Sequence, residues 1–377
     1  MRKKVLIYRS RLLPFSETFI YDHWRSLRTY DAYFAGIRVI DGIPLPQERV
    51  LVQFDAKPDP LALAKFLHAP QNSSLYEKIA SLRPDVIHAH FAVDAVEAVP
   101  IAKKLKVPLI VTLHGYDVHS SDASHVMSGS PYRWNYIFRR NQLTREASLF
   151  LPVSDYVKQA ALKRNFPSSK TRTHVLGIDP SLFSTNGGAR RGVLFVGRIV
   201  EKKGLEYLIR AIAKFPSAYA PHPVTIIGEG ELRAKMERLA KRINVNAIFL
   251  GKQPRERVKE EMARARVLCM PSIRASSGDN EGLPIVALEA QASGCPVVAF
   301  DQGPIPAAIS NGVTGLLARD RDVGDLASCI QRLLNDELLS REMSIAGPPF
   351  IARNFDIFNQ TVSLEEIYTE ILDRSSC

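Results

Sequence analysis

Short hydrophobic runs alternate with stretches of helical periodicity along the whole chain. In the first half, runs rich in β-branched and aliphatic residues predict buried strands at residues 5–8, 86–90, 109–113, 149–153 and 173–176. Helices are predicted between them, at residues 94–105, 136–147 and 154–165. Residues 41–73 are proline-rich and predict an extended connection with a short helix near 61–67. This alternation predicts a parallel sheet with helices on both faces.

Residues 177–192 interrupt the alternation and predict a linker, because Pro180, the Asn186-Gly187-Gly188 turn and Arg190-Arg191 cluster there. Beyond it, strands are predicted at 193–196, 224–227, 247–250, 267–270, 296–300 and 315–317. Helices are predicted at 204–214, 231–242, 256–265, 285–292, 323–334, 337–353 and 358–372. The fold class is therefore α/β, with doubly wound domains at 1–180 and 190–354. A carboxyl-terminal helix within 355–377 is expected to return to the first domain. Such halves would hold a ligand in the cleft between them.

The composition fits a soluble globular protein, with 377 residues, 46% of them hydrophobic and 24% charged. No apolar run reaches the length of a membrane span, and the run after the basic amino terminus ends at Arg9, too early for a signal peptide. Cys269, Cys295, Cys329 and Cys377 have no metal-binding spacing. They predict free thiols in a reducing cytoplasm.

The positive charge is concentrated in the first half of the chain. Residues 1–180 contain 25 Lys and Arg against 16 Asp and Glu (+9), and residues 181–377 contain 25 against 23 (+2). A basic half favours an anionic partner such as a membrane surface, a phosphorylated acceptor or nucleic acid, although solubility alone also explains it. No interleaved basic and aromatic stripe supports nucleic acid. Residues 103–106 and Arg139-Arg140 are candidates for peripheral contact with the inner membrane face.

A second-half stretch joins a loop carboxylate to a helix that carries another. Glu281 precedes Pro284, which suits a first helical turn, and Gly294 ends the helix that contains Glu289. The amino-terminal end of a helix favours anions through its free N–H groups. The pattern therefore predicts either a site for a ligand with hydroxyls and phosphate or an amphipathic helix with a solvated glutamate.

Two glycine-containing turns follow predicted strands of the second half. Gly197 ends one strand, and Arg198 and Lys203 flank the loop to the next helix, which suits a diphosphate. Surface cations on a basic protein are the simpler explanation. Gly228-Glu229-Gly230 follows the next strand but lacks the third glycine of a dinucleotide fingerprint, so it indicates either a tight turn or a close approach to a ligand.

Taken in order, these motifs resemble family 4 retaining glycosyltransferases of the GT-B fold. The resemblance covers residues 190–354 and includes Gly294-Cys295-Pro296-Val297-Val298; residues 112–117 and 175–179 are similar to first-half segments of that family. Residues 14–20 with His88-Ala89-His90-Phe91 resemble the branch that builds bacterial exopolysaccharides and lipopolysaccharides. The chain departs from many relatives in lacking a Gly-Gly loop after its first strand.

The resemblance implies a donor site for a UDP- or GDP-linked sugar and requires no metal or further cofactor. Arg198 and Lys203 would bind the diphosphate, Glu281 would face the sugar, and Glu289 would bind the ribose. The remaining donor-binding residues would be Gly197, Gly228, Gly230, Gly282 and Leu283, with residues 252–258 along the base.

On the acceptor side, the resemblance places His114 near the transferred sugar, with Asp117 supporting its loop. Ser16 and Glu17 would contact the acceptor, a glycan or lipid-linked oligosaccharide, or cap the following helix. His88 and His90 point to the same side of a strand; with no third ligand of fitting spacing, His90 is predicted to line the cleft and His88 to be structural.

The implied reaction retains the anomeric configuration without a protein nucleophile. The acceptor hydroxyl attacks from the leaving-group side, and the donor phosphate takes its proton. No Ser-His-Asp or Cys-His arrangement stands out, in agreement with this scheme. The alternatives are a nucleotide-sugar epimerase or a phosphorylase of the same fold, and a non-catalytic glycan- or nucleic-acid-binding module.

Overall fold

The computed structural model describes residues 2–185, 188–215 and 223–375. The chain divides into two compact units. The amino-terminal unit comprises Met1–Gly177 and Ile357–Cys377, and the carboxyl-terminal unit comprises Ile178–Asp356. The predicted turn residues Asn186 and Gly187, as well as Cys377, lie outside the described residues.

A parallel sheet forms the centre of the amino-terminal unit. The strands of this unit, including the separate pair β2 and β4, are β1 (Lys4–Tyr8), β2 (Arg11–Leu12), β3 (Asp31–Gly36), β4 (Arg38–Val39), β5 (Val50–Val52), β6 (Val86–His90), β7 (Leu109–Leu113) and β8 (Leu149–Pro152). The helices are α1 (Thr18–Ser26), α2 (Pro60–His68), α3 (Ser74–Leu82), α4 (Ala92–Leu105), α5 (Tyr116–His119), α6 (Asp122–Met127), α7 (Pro131–Glu146) and α8 (Asp155–Lys163). The sheet order is β5-β3-β1-β6-β7-β8, and β2 pairs with β4. The carboxyl ends of β1, β6 and β7 therefore share one edge of the sheet.

The carboxyl-terminal unit repeats this architecture. Its strands are β9 (Arg191–Val196), β10 (Val224–Ile227), β11 (Ala247–Gly251), β12 (Ala265–Met270), β13 (Val297–Asp301) and β14 (Gly315–Arg319). Its helices are α9 (Leu205–Ile212), α10 (Arg233–Arg242), α11 (Arg255–Arg264), α12 (Ile285–Ala292), α13 (Ile305–Ala308), α14 (Val323–Asn335) and α15 (Glu337–Asn354). The order β11-β10-β9-β12-β13-β14 reverses direction between β9 and β12, which is where doubly wound sheets bind ligands.

Both sheets are covered on two faces. In β9, Val193 and Phe195 belong to one buried cluster and Leu194 to another, because successive side chains point to opposite faces. In the amino-terminal unit, the last helix α16 (Ile357–Ser375) packs Leu364 and Tyr368 into a cluster with strand residues of β1 and β6. The carboxyl-terminal helix thus belongs to the amino-terminal unit, as predicted.

The strand predicted at residues 173–176 is wrong. Arg172 N and His174 N donate to Phe150 O and Pro152 O, both at 3.0 Å, and one isolated bridge joins Phe150 to Thr171. The next bridge would need an N–H from Pro152, which proline lacks, so the ladder stops there. Strands β3 and β5 also belong to the central sheet, although the hydrophobic pattern predicts neither of them.

Candidate active site

The loops after β9 and β12 meet at the point where the strand order of the carboxyl-terminal unit reverses. Gly204 has φ +65°, and a Cβ built on it would lie 1.8 Å from Pro271 O. Only a glycine fits so close to the neighbouring backbone. Ile273 N donates to Lys202 O at 2.8 Å, so the two loops are also joined by a backbone hydrogen bond. This packing brings the predicted diphosphate residue beside the predicted sugar residue.

A buried ion pair joins Lys203 to Glu281 at this junction. Lys203 Nζ lies 2.7 Å from Glu281 Oε1, and the side chains are 16% and 8% exposed. Ser272 Oγ donates to the same carboxylate oxygen at 2.9 Å. An ammonium carries three hydrogens, so Lys203 retains donors for a second anion while it contacts Glu281.

The surroundings of Glu281 keep its carboxylate ionised. Burial alone would raise the pKa of Glu281, but the charges of Lys203 and Lys202 and the hydrogen bonds from Lys203 and Ser272 outweigh it and lower the pKa to about 2. At neutral pH, Glu281 therefore accepts hydrogen bonds and cannot serve as a proton donor.

A second layer of polar contacts fixes the loop that carries Glu281. Lys202 Nζ lies 3.1 Å from Asp279 Oδ1. Asn280 Oδ1 accepts from Glu281 N at 2.9 Å, and Gln302 Nε2 donates to Ser272 O at 3.1 Å. These contacts fix the backbone of the two loops and thereby the position of the Glu281 carboxylate. The sequence did not indicate Gln302, which lies on the far side of β13 from Glu281 along the chain.

Arg198 contrasts with Lys203. Its side chain is exposed and has no hydrogen-bond or ion-pair partner within residues 2–185, 188–215 and 223–375. Gly197 lies beneath the Lys203 side chain, since a Cβ built at position 197 would contact Lys203 Cδ and Cε at 3.6 Å. The turn therefore carries one cation held at a carboxylate and one directed to solvent.

Gly228 and Gly230 pack against backbone rather than against open space. A Cβ at Gly228 would lie 1.9 Å from Gly197 O, and one at Gly230 would lie 2.4 Å from Ile199 O. Ile199 N donates to Glu229 O at 2.8 Å. Both glycines thus allow the loops after β9 and β10 to touch, and their contact with a donor stays a prediction.

Helix α12 covers the predicted residues 285–292, but Pro284, which was expected within its first turn, is its N-cap residue. Glu289 lies within it, 15% exposed, and its Oε1 is 3.8 Å from Arg255 Nη2. Arg255 belongs to the segment predicted to line the base. Gly282 and Leu283 are buried in the loop before the helix.

In the amino-terminal unit, His114 and His90 lie side by side at the carboxyl ends of β7 and β6. His90 Nδ1 is 2.9 Å from His114 Nε2. Asp117 is buried, and its carboxylate accepts from Ala92 N at 2.9 Å and from Gly115 N at 3.0 Å. Asp117 therefore ties the loop after β7 to the start of α4, and its part in an acceptor site stays a prediction.

Glu17 forms a buried cluster that the sequence did not reveal. Arg9 Nη2 contacts Glu17 Oε1 at 2.7 Å, and Arg9 Nη1 contacts Asp94. The Glu17 side chain makes no cap to α1, so the capping alternative is wrong for Glu17. Ser16 is exposed beside it. Since the Glu17 carboxylate holds Arg9, a direct contact with the acceptor would have to share that carboxylate.

Next to Arg9, Glu97 accepts hydrogen bonds from Tyr8 Oη at 2.9 Å and Ser10 Oγ at 2.8 Å. Burial and the nearby charge of Asp94 raise the pKa of Glu97 to about 8. This raised pKa favours the protonated form of Glu97, and its Oε1 has no hydrogen-bond partner among the described residues.

His23 joins His88 and His90 and supplies the third potential ligand that the spacing in the sequence did not show. One ring nitrogen of each residue lies within 4.8 Å of those of the other two, and all three side chains are buried. His23 comes from α1, far away in sequence, so spacing could not reveal it.

Comparison with known proteins identifies the family. The profile for "Glycosyl transferases group 1" matches residues 185–348, and that for "Glycosyltransferase Family 4" matches residues 38–182. The two matches cover most of the chain and confirm the predicted family. The protein belongs to the family 4 type of glycosyltransferases.

Two relatives illustrate the match. The chain is 27% identical over 278 residues to the amylovoran biosynthesis glycosyltransferase AmsK of Erwinia amylovora, covering 72% of this chain and 65% of that protein. It is 28% identical over 252 residues to the putative colanic acid biosynthesis glycosyltransferase WcaL of Salmonella typhimurium, covering 65% and 60%. Each alignment spans less than two thirds of the relative.

Solved structures confirm the predicted GT-B fold class. Anabaena Alr3699/HepE in complex with UDP and glucose superposes with a TM-score of 0.77 at 19% identity, covering 98% of this chain and 100% of that chain. Sucrose-phosphate synthase from Thermosynechococcus elongatus also gives 0.77, at 18% identity, covering 99% and 100%. Among the described residues, every helix is too short or too polar to cross a bilayer.

Proposed function

We propose that the protein is a retaining, metal-independent hexosyltransferase that moves a sugar from a UDP- or GDP-linked donor to a glycan, carried on a lipid, during synthesis of a cell-surface polysaccharide. The Lys203–Glu281 pair at the sheet's reversal point carries this proposal. It combines a cation with free donors and an ionised hydrogen-bond acceptor where doubly wound sheets bind nucleotides. The names of the amylovoran and colanic acid relatives support a role in polysaccharide synthesis.

Lys203 and Arg198 would stabilise the leaving diphosphate. Charge grows on the phosphate oxygens as the anomeric C–O bond breaks, and fixed cations are most effective where charge develops. Lys203 is already held in place by Glu281, so little reorganisation is needed. Arg198, which has no partner in the described part of the chain, can turn its planar fork towards phosphate.

Glu281 would position the donor sugar through its hydroxyls. With a pKa of about 2, it is an acceptor at working pH and not a general acid. In the proposed step, the acceptor oxygen bonds to the anomeric carbon on the face that the diphosphate leaves. The hydroxyl proton passes to a phosphate oxygen of the departing nucleoside diphosphate. His114 would line the transferred sugar from the amino-terminal unit.

Transfer from a panel of labelled UDP and GDP sugars to lipid-linked glycans from polysaccharide-producing cells tests this function. Lys203→Ala should lower turnover by about 100-fold or more, the usual loss for one charge-stabilising group. Lys241→Ala is the matched control, because Lys241 is exposed on α10. NMR of the product should show the anomeric configuration of the donor.

Other outcomes discriminate the alternatives. Interconversion of free nucleotide sugars without acceptor would identify an epimerase, and pyridoxal absorbance of the purified protein would identify a phosphorylase. Near-normal transfer in Lys203→Ala, Arg198→Ala and Glu281→Ala would overturn the proposed site. Inversion in the product would overturn retention alone.

A basic and apolar face on α6 and α7 supports contact with an anionic membrane from the cytoplasmic side. Val126, Met127, Trp134 and Phe138 are 51%, 85%, 44% and 84% exposed. Trp134 Nε1 donates to Val126 O at 2.8 Å, which joins the two helices on this face. Exposed apolar side chains on an arginine-rich helix are typical of interfacial binding.

The basic segments predicted for this contact are largely engaged within the unit. Arg140 Nη1 and Nη2 contact the Asp122 carboxylate at 2.8 and 3.0 Å, and Lys103 contacts Glu146 at 3.3 Å. Arg139 donates to His68 O at 2.8 Å. The exposed apolar side chains therefore carry the membrane proposal more than these cations do.

Sedimentation with phosphatidylglycerol vesicles at low salt tests this contact. The double variant Met127→Ser with Phe138→Ser should bind at least about tenfold more weakly, since each side chain would bury apolar area worth about 1.5–3 kcal/mol. Leu338→Ser with Ile345→Ser removes residues that are 68% and 66% exposed on α15 and should change nothing. Equal binding by both double variants, or no binding by the wild type, would contradict the proposed membrane contact.

A further inference from the structure

Three buried imidazoles cluster in the amino-terminal unit behind His114. The ring centroids of His23 and His88 are 5.3 Å apart, those of His23 and His90 5.5 Å, and those of His88 and His90 4.8 Å. All three line a small cavity with room for about one water molecule or one metal ion. Hydrophobic packing does not explain three polar rings at such a cavity.

Each strand histidine has one nitrogen held by a neighbour and one nitrogen towards the cluster. His88 Nε2 is 2.7 Å from Thr112 Oγ1, and His90 Nδ1 is 2.9 Å from His114 Nε2. Metal-binding histidines characteristically have their outer nitrogen fixed in this way. The arrangement therefore orients two rings before any ligand arrives.

The inner nitrogens provide the strongest sign of a ligand. His90 Nε2 is buried and has no hydrogen-bond partner among the described residues. A buried polar atom without a partner is costly and calls for an explanation. His88 Nδ1 and His23 Nε2 both face Tyr368 Oη, at 2.6 and 3.3 Å. The hydroxyl of Tyr368, which belongs to α16, therefore lies on one side of the histidine cluster.

We propose that His23, His88 and His90 bind a divalent transition-metal ion of the Zn²⁺ class that links α1 to β6. Three neutral imidazoles with a fourth position for water or Tyr368 Oη match the ligand preferences of Zn²⁺. The nitrogens, now within 4.8 Å of one another, would close to about 3.4 Å around a tetrahedral ion.

The electrostatic surroundings suit this ion. All three rings are buried, and a metal ion binds imidazole in its neutral form. The cation Arg9, which would repel a metal ion, is paired with both Glu17 and Asp94, so this group of three side chains is net negative. The proposed ion takes no part in the sugar-transfer step, although His90 also contacts His114.

Metal binding is measured on the full-length, tag-free, reduced protein after chelator treatment, by competition for Zn²⁺ with a chromophoric chelator. The wild type should bind one Zn²⁺ per chain, and Co²⁺ in its place should give the visible absorption of a four-coordinate ion. His23→Gln and His90→Gln should each weaken binding by more than about 100-fold, because they remove a ligand rather than an outer partner. His68→Gln, at an exposed position on α2, should bind like the wild type.

Circular dichroism shows whether each variant folds. If a histidine variant does not fold, Thr112→Val replaces it: this variant removes only the hydroxyl that orients His88 and should weaken binding by about 10–100-fold. The proposal is overturned if the wild type does not bind Zn²⁺ at a one-to-one ratio. It is equally overturned if folded His23→Gln, His90→Gln or Thr112→Val retains wild-type affinity.

Discussion

Replacing Glu281 by Gln should remove a pH-dependent contribution to the stability of the carboxyl-terminal unit. In the folded protein the carboxylate is buried against Lys203 Nζ at 2.7 Å, and its pKa is lowered to about 2 from an ordinary value of 4.5. A depressed pKa stabilises the fold above the unfolded pKa, and this stabilisation is lost as the pH falls towards 2. Because the pKa of Glu281 differs between the folded and unfolded states, acidification from pH 7 to pH 3 should lower the free energy of unfolding by about 2 kcal/mol through this one carboxylate.

The measurement is hydrogen exchange by mass spectrometry on peptides from β12 and α12 at pH 7 and pH 3, corrected for intrinsic rates. It reports opening of the carboxyl-terminal unit directly, which matters because a protein with two units need not unfold in one step. The wild type should lose about 2 kcal/mol more opening free energy between these pH values than Glu281→Gln does, while other carboxylates cancel in the difference.

Glu342→Gln is the matched control, since Glu342 is exposed on α15. It should show the same pH dependence as the wild type. If Glu281→Gln and the wild type lose the same free energy on acidification, Glu281 is not held ionised by Lys203, and its assignment as a hydrogen-bond acceptor fails.

Three further outcomes follow from the packing. Glu97→Gln should flatten the fall in thermal stability as the pH rises from about 4.5 to 8, because the pKa of Glu97 is raised to about 8 in the fold; an unchanged slope would count against a protonated Glu97. Gly230→Ala should destabilise the protein by about 1–3 kcal/mol in urea unfolding, since its Cβ would lie 2.4 Å from Ile199 O, whereas Gly324→Ala, with its nearest atom at 3.3 Å, should cost less. Ser154→Ala should cost about 1 kcal/mol by the same assay, because the hydroxyl caps α8 at 3.3 Å; no loss would show that the cap is dispensable.

Local patterns were sufficient to predict most elements of the sheets and helices. The helix predicted at 285–292 matches α12 because Pro284 and Gly294 mark its ends in the sequence itself. The segment 173–176 has the apolar pattern of a strand, yet it forms no strand, because a residue on the neighbouring strand, Pro152, lacks the required N–H. Propensity describes a segment, whereas pairing depends on its neighbour.

The candidate site shows the same division. Lys203 and Glu281 each follow a predicted strand, so their meeting at the sheet reversal could be expected from topology. The contacts of Glu17 with Arg9 and of His23 with the strand histidines could not, since α1 and β6 are distant in sequence and only the packed fold brings their side chains together. Side chains that point inwards from a helix carry no sequence mark of what they touch.

The most direct test of the central assignment is calorimetric binding of UDP and GDP, and of their sugars, to the wild type, Lys203→Ala and the control Lys241→Ala. The wild type and Lys241→Ala should bind one nucleotide per chain with equal affinity. Lys203→Ala should bind at least about tenfold more weakly, since a hydrogen bond to a charged group contributes about 1.5–3 kcal/mol. Equal affinity in all three proteins would contradict a donor site at Lys203 and Glu281.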